Sequence, residues 1–209
     1  MTAAAPDERA LPLRERRKRR TRRVLAETAL RLFAERGFEA TTLEDLVEEA
    51  EVSRSTFFRT FPAKEAVAIE AEAELWTGWL QALAARTLSG AVLDELQRTL
   101  ADAVAGLDAG WDERFIATRR LVLAEPALLG YVDHYRAGVR EQVIDCLARK
   151  LGIDAEDLRL YVLAELVTIA FSVSGRPWVR SGGKGGRRAL LDRFRAAVKA
   201  IPESLELNA

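Results

Sequence analysis

Residues 53 to 64 carry the polar side chains with the most specific chemistry in this 209-residue chain. Ser53 is spaced as an N-cap, and a short helix over 54–61 would follow it. Arginine and small hydroxyl side chains at a helix start can reach base edges and phosphates in the major groove of DNA. Arg54 could bind a guanine edge bidentately, Thr56 a phosphate or a thymine methyl, and Lys64 a phosphate. The candidate DNA-binding residues of this segment are Ser53, Arg54, Ser55, Thr56, Phe58, Arg59, Thr60 and Lys64.

A second candidate is the basic block RERRKRRTRR at residues 14–23. It holds eight lysines and arginines against Glu15, a net charge of +7, in a chain whose formal net charge is zero. Such blocks usually form solvated arms that bind polyanions, and a solubilising tail is the plainer alternative. The local charge favours nucleic acid or an anionic membrane surface. Because they adjoin the first helix, Arg20, Arg22 and Arg23 should lie closest to DNA.

Three helices are predicted to position these side chains. The first covers about 16–35 and buries one face, and Gly37 ends it in a left-handed cap conformation. The residues of this buried face are Val24, Leu25, Ala29, Leu32 and Phe33. A second helix of about nine residues begins at Thr42, a further candidate DNA contact, with Asp45 at the capping-box position. Glu51 and Val52 form a tight turn before the third helix, which is the layout of a helix-turn-helix unit.

The remaining chain predicts longer helices near 63–86, 90–106, 112–124, 126–151, 155–180 and 186–200, with no strand signals. Glycines separate several of them, Asp154 is the expected N-cap of the helix at 155, and the GGKGG run at 182–186 should be a flexible hinge. The sequence therefore predicts an all-α fold of about nine helices. Residues 1–15 should be a disordered tail, 16–64 a helix-turn-helix DNA-binding domain, and 65–209 a ligand-binding and dimerisation domain.

The segment 21–65 resembles the DNA-binding domain of the TetR family of bacterial regulators. The resemblance is carried by ALRLFAERGFEATTLEDL and VSRSTFFRTFPAKEA. It implies a helical homodimer that represses transcription, binds an operator, and is released by a small ligand. Three positions depart from the family pattern: Glu51 replaces a common glycine, Phe58 a common tyrosine, and Thr60 a common tyrosine or histidine. The turn must then form without glycine's freedom, so Glu51 is expected to accept backbone strain.

Two apolar helices in the C-terminal half predict a dimer interface. The stretch 158–175 is apolar nearly all round, so it must be covered on most sides. Leu190, Leu191, Phe194, Val198 and Ile201 recur at matching helical spacing farther on. Four helices packed across a two-fold axis would bury both faces, with an intramolecular core as the alternative. Such a dimer would present two recognition helices to successive major grooves, so the operator should be a palindrome.

Large aromatic and apolar residues between the middle helices are candidates for a small-molecule cavity, although each alone is more often plain core. The predicted set is Trp76, Trp79, Leu83, Phe115, Arg119, Leu123, Tyr131, Tyr135 and Phe171. The stretch from about 119 to 183 also resembles, weakly, the C-terminal domain of actinobacterial regulators of acyl-CoA-like ligands. A fatty acyl thioester is therefore the first ligand expected.

Other functions are less well supported by the residues. With one histidine and one cysteine the chain offers no nucleophile set and no zinc spacing, so we expect no enzyme activity, cofactor or metal. GGKGG lacks the order of a phosphate loop. A helical binding protein, or an enzyme using the C-terminal cavity without regulatory DNA binding, remains the alternative. No apolar run approaches the length of a membrane span, and a lone cysteine fits the cytoplasm.

Overall fold

The computed structural model describes residues 12–207. Ten helices and no strand occur in that range, which confirms an all-α fold with one helix more than the nine expected. Most bounds lie within three residues of the predicted ones. The helices are α1 Leu13–Arg36, α2 Leu43–Glu49, α3 Arg54–Thr60, α4 Lys64–Ala68, α5 Glu70–Ala85, α6 Val92–Ala105, α7 Trp111–Ala124, α8 Pro126–Leu151, α9 Leu158–Arg180 and α10 Gly186–Ser204.

The first three helices close on a small apolar core. α1 and α2 contribute buried leucines and α3 contributes Phe57, while Val24, predicted to be buried, is 38% exposed. Gly37 ends α1 at φ 85° and ψ 157° rather than in the predicted left-handed helical well. That region is open almost only to glycine. The chain therefore turns sharply after α1, and Phe38 folds back against Phe33 with ring centroids 5.0 Å apart.

The helix predicted at 63–86 is broken at Ile69 into α4 and α5. The amide of Glu72 donates to the carbonyl of Ile69 at 2.9 Å, one residue short of the α-helical partner. The carbonyl of Ala68, which that amide would otherwise reach, accepts from the buried Thr118 hydroxyl of α7 at 3.2 Å. The break is possible because a side chain distant in sequence replaces the lost backbone donor.

The described residues form two compact units. One contains residues 12–73 and 113–133, and the other contains residues 74–112 and 134–207. In the second unit α9 and α10 pack along one another, with Phe171 and Phe194 edge to face at 5.5 Å. Arg187, near the start of α10, donates to the carbonyls of Leu107 and Asp108, at 2.6 and 2.7 Å respectively. This arginine supplies donors to carbonyls in the α6–α7 connection.

Two predictions around α9 need correction. Its N-cap is Asp157, which accepts from the amide of Arg159 at 3.0 Å, whereas Asp154 lies in the preceding turn. The glycine run after α9 forms a defined turn with four glycines at positive φ. The indole of Trp178 donates to the carbonyl of Gly186 at 2.9 Å, which fastens this turn. α9 is also long and apolar enough to meet a length-and-composition test for a membrane span, which many core helices pass.

Candidate nucleic-acid interface

α3 displays a largely polar face because Phe57 points into the core. The Ser53 side chain caps the helix by accepting from the amide of Thr56 at 3.2 Å. Phe57 is fully buried, whereas Arg54, Ser55, Phe58 and Arg59 are exposed. A short capped helix with exposed arginine and serine at its start has the chemistry needed to approach base edges.

A cationic groove lies between α3 and the N-terminal part of α1. Its volume is about 700 Å³, and its lining residues are Arg14, Glu15, Arg17, Lys18, Thr21, Thr56, Arg59 and Thr60. A smaller recess of about 320 Å³ lies along α1 and includes Arg20 and Arg23. α1 begins at Leu13, so the whole basic block lies within this helix. Residues 13–15, predicted to belong to a disordered tail, are therefore helical. Residues 1–11 of the predicted tail lie outside the described residues.

Arg22 differs from the other arginines of the block. Its guanidinium forms a two-pronged ion pair with Glu70, donates to the carbonyl of Thr60 at 2.9 Å, and stacks on Phe61 at 4.4 Å. Glu70 is almost completely buried. Arg22 therefore fastens α1 to α5 and to the C-terminal end of α3, rather than presenting its donors to DNA as predicted.

Lys64 is likewise directed into the protein. Its ammonium donates to the carbonyls of Phe38 and Thr41, at 2.8 and 2.9 Å respectively, and lies over the Phe38 ring. Two of its three N–H donors are therefore used within the fold. The residue ties the start of α4 to the turn before α2, and its phosphate contact through the third donor stays a prediction.

The start of α2 forms the predicted capping box. The hydroxyl of Thr42 accepts from the amide of Asp45 at 3.1 Å, and the carboxylate of Asp45 accepts from the amide of Thr42 at 2.7 Å. The hydrogen bond from the Thr42 side chain is the first cause that lowers the pKa of Asp45 below its usual range. Thr42 remains exposed, so it can still meet a phosphate.

The turn between α2 and α3 carries the strain that the sequence predicted. Glu51 adopts φ 52°, and it is the one non-glycine residue at positive φ within residues 12–207. A side chain with a Cβ costs about 1–2 kcal/mol in this conformation. The turn thus keeps the geometry that glycine would supply more easily.

Comparisons with known proteins agree with this geometry. The statistical model of bacterial regulatory proteins of the tetR family matches residues 25–71. The HTH-type transcriptional regulator TcmR of Streptomyces glaucescens is 33% identical over 164 residues, 73% of this chain and 71% of that protein. The chain belongs to the TetR family. It is a DNA-binding transcriptional regulator, in a family whose members are not enzymes.

Solved structures support the same fold for this TetR-family chain. A Mesorhizobium loti MAFF303099 protein assigned to the TetR family has a TM-score of 0.51 at 17% identity, covering 90% of this chain and 98% of its own. A transcriptional regulator of Rhodococcus sp. Rha1 gives 0.51 at 17% identity, with 88% and 96% coverage. These similarities apply to the fold alone.

The predicted ligand residues of this TetR-family regulator divide between the two units. In the unit containing 74–112 and 134–207, an aromatic cluster is buried: Trp76 lies 5.7 Å from both Trp79 and Phe171. The indole of Trp79 donates to Thr99 at 3.0 Å. Leu83 is fully buried in the same unit, and Tyr135 is half-buried.

In the unit containing 12–73 and 113–133, Phe115 is buried and Tyr131 is half-buried. Burial is the first cause that raises the pKa of Tyr131. Arg119 forms an ion pair at 3.1 Å with Glu72, whose side chain is completely buried. Leu123 is 63% exposed. Its place in a ligand cavity stays a prediction.

The predicted dimer residues of α10 also need correction. Leu190, Leu191, Phe194 and Val198 are buried within the protomer, so they do not form a free seam. α9 instead leaves a set of large apolar side chains exposed. They are Leu158, Tyr161, Val162, Ile169 and Val173. The apolar periodicity of α10 thus belongs to the core of its own chain.

Several residues that matter to the site were missed by the sequence interpretation. Glu44, Glu70, Glu72 and Thr118 were never candidates. Glu44 and Glu70 bond arginines of the DNA-binding region, Thr118 bonds the carbonyl at the α4–α5 break, and Glu72 bonds Arg119 of α7. Their partners are distant in sequence except for Glu44 and Arg54, which are ten residues apart. For Glu44, the signal available in the sequence was an acidic residue in the helix that precedes the recognition helix α3.

Proposed function

We propose that this regulator is a cytoplasmic homodimeric repressor that binds a palindromic operator and is released by a small hydrophobic or acyl-CoA-like ligand. The observation that carries the proposal is the exposed polar start of α3 beside the cationic groove of α1. Two such helices would enter successive major grooves about 34–36 Å apart. Residues 16–64 would form the DNA-binding domain and 65–209 the ligand-binding and dimerisation domain.

The proposed DNA contacts divide by their position on the helices. Arg54, Ser55 and Arg59 would face base edges, with Phe58 packing against sugar or base. Hydroxyls at the helix starts and the arginines of α1 would bind phosphates, which gives affinity without much base selection. This phosphate-binding set comprises Thr42, Ser53, Thr56, Thr60, Arg20 and Arg23.

The DNA-binding proposal is tested by separating the two kinds of contact. Arg54→Ala should weaken binding by about 1–3 kcal/mol on duplexes carrying the recognised guanine, and relax selection at one position. Arg20→Ala should weaken binding to all duplexes alike and reduce the dependence of log Kd on log salt by about 0.9. Fluorescence anisotropy on duplexes selected from a random library measures both. Equal losses on every sequence for Arg54→Ala would contradict its assignment.

The dimer is supported by the exposed apolar residues of α9. Leu158, Val162, Ile169 and Val173 are separated by four, seven and four residues, so they lie along one face of the helix. A contiguous apolar face of this kind is typical of a protein interface. A second copy of this chain, packing α9 against its equivalent across a two-fold axis, would cover it.

Ligand release is supported by a buried polar series within residues 12–73 and 113–133. From α7, Thr118 bonds the carbonyl at the α4–α5 break and Arg119 pairs with Glu72. From α5, Glu70 pairs with Arg22, which bonds the last carbonyl of α3. A displacement of α7 would alter the break between α4 and α5, and through it the position of α3. Differential binding of the ligand to the two arrangements would shift their populations.

The ligand proposal is tested with palmitoyl-CoA as the probe. The protein bound to its selected duplex is titrated with palmitoyl-CoA, with free coenzyme A and free palmitate as controls. Release by the thioester alone supports an acyl-CoA-like ligand, and release by palmitate as well supports a simpler hydrophobic one. If the palmitoyl-CoA-saturated protein binds the duplex as tightly as the free protein does, this ligand class is excluded.

A further inference from the structure

We propose that Glu44 determines DNA specificity by holding Arg54 of the recognition helix in position to read a base. The carboxylate of Glu44, in the first turn of α2, forms an ion pair with the Nη1 group of Arg54, the first residue of α3. Both side chains are more than 60% exposed, at 61% and 63% respectively. The pair therefore lies on the surface that the proposed docking of α3 would turn toward DNA, and the inference rests on that docking.

The other paired acids of α2 face different partners. Asp45 bonds Thr42 in the capping box and lies 3.5 Å from Arg36 of α1. Glu49 pairs with Arg31 of α1 at 2.5 Å. These carboxylates are explained by the packing of α2 on α1. Glu44 is different because its partner is the arginine best placed to read a base.

The geometry of the guanidinium allows Arg54 to keep Glu44 while it binds DNA. Arginine carries five N–H donors in a planar fork, and the contact to Glu44 uses the Nη1 group. Another edge of the plane can bind the O6 and N7 atoms of guanine bidentately. Holding one edge of the side chain in advance reduces the rotamer freedom lost when the other edge binds.

The charge of Glu44 also weakens binding to DNA that lacks the recognised sequence. A carboxylate at this surface repels phosphates and retains Arg54, so Arg54 is kept from the sequence-independent phosphate contacts that an unrestrained arginine would make. On a duplex with guanine at the right position, the bidentate contact offsets this repulsion. On other duplexes it does not. Glu44 thus increases the difference between correct and incorrect sequences, which is the quantity that defines specificity.

The test compares Glu44→Gln with Glu48→Gln in the full-length chain. Glu48 is exposed on the same helix, and within residues 12–207 no ion pair joins it to α3. Each variant is titrated against a duplex selected by the wild-type protein and against a scrambled duplex of equal length and composition. Both substitutions remove one negative charge. Glu44→Gln should tighten binding to the scrambled duplex and lower the selected-to-scrambled affinity ratio about fivefold or more. Glu48→Gln should leave that ratio unchanged.

A double variant identifies the route of the effect. In an Arg54→Ala background, Glu44→Gln should no longer change the ratio, because its partner is absent. If Glu44→Gln matches Glu48→Gln in the wild-type background, the role of Glu44 is refuted while the docking of α3 stands. If the ratio falls but falls equally in the Arg54→Ala background, action through Arg54 is refuted. If the wild-type chain binds the selected and scrambled duplexes equally, the docking fails, and the inference fails with it.

Discussion

Neighbouring arginines of one basic block can have opposite roles, and Arg22 and Arg20 show this at the scale of single residues. Arg22→Gln removes the charged partner of the buried Glu70 carboxylate and should lower the free energy of unfolding by about 1–3 kcal/mol. Arg20→Gln, at an exposed position, should change it by less than about 0.5 kcal/mol. Urea denaturation of both variants measures the difference. Equal stability of the two would contradict the bracing role of Arg22.

The strained turn residue gives a second prediction for a single position. Glu51→Gly relieves the positive φ and should stabilise the protein by up to about 1 kcal/mol, once the added freedom of the unfolded chain is subtracted. Glu48→Gly, inside α2, should destabilise it by about 1 kcal/mol. Urea midpoints that move in the same direction for both glycines would show that the turn is not strained.

Among the helices, α9 gives a prediction about pH. The hydrogen bond from the Arg159 side chain is the first cause that lowers the pKa of Asp157 to about 2. A depressed carboxylate pKa stabilises the fold above the unfolded value, near 4, and this contribution is lost as the pH falls from about 4 to about 2. Asp157→Asn should therefore lower the urea midpoint at pH 7 and match the wild type progressively below pH 4. Arg159→Gln should remove most of the difference at pH 7, and a difference independent of both pH and Arg159 would refute this origin.

The helices also show what the sequence could predict. Helix caps form between residues that are close in sequence, so they can be predicted from the sequence. The N-caps at Thr42, bonded to Asp45, and at Ser53, bonded to Thr56, are confirmed. The break at Ile69 could not be predicted, because residues 63–86 contain no proline. The group that stabilises it is the hydroxyl of Thr118, fifty residues from the Ala68 carbonyl that it bonds. Arg22 looks like its neighbours in the sequence, since its partner lies 48 residues away. The candidate site was thus predicted where its contacts are local.

The whole molecule is expected to act as a dimer, and this is where periodicity alone was insufficient. The buried apolar residues of α10 and the exposed apolar residues of α9 share the same helical spacing. The sequence pattern alone therefore cannot tell a core helix from a dimer interface, and the packing of the chain is needed to do so. Ile169→Lys, on the exposed face of α9, should produce monomers in sedimentation analysis. Its operator affinity should fall by about a hundredfold or more, because the second half-site no longer binds intramolecularly.

Leu205→Lys is the matched control for the dimer. Leu205 is 84% exposed and follows the end of α10, so a charge there should leave both the sedimentation coefficient and the operator affinity unchanged. A dimeric Ile169→Lys protein with full affinity would show that another surface joins the two copies.

The basic block is continuous with α1, so its charges have a fixed phase about the helix axis. Each residue inserted into an α-helix rotates everything before it by about 100°, whereas insertions of three or four residues leave the preceding side chains within about 60° of their original direction. A floating tail would tolerate insertions of any length. Related chains that gain or lose residues within this part of α1, before Thr21, should therefore do so in whole helical turns. For DNA binding, the number of arginines should matter less than their angular placement around the helix.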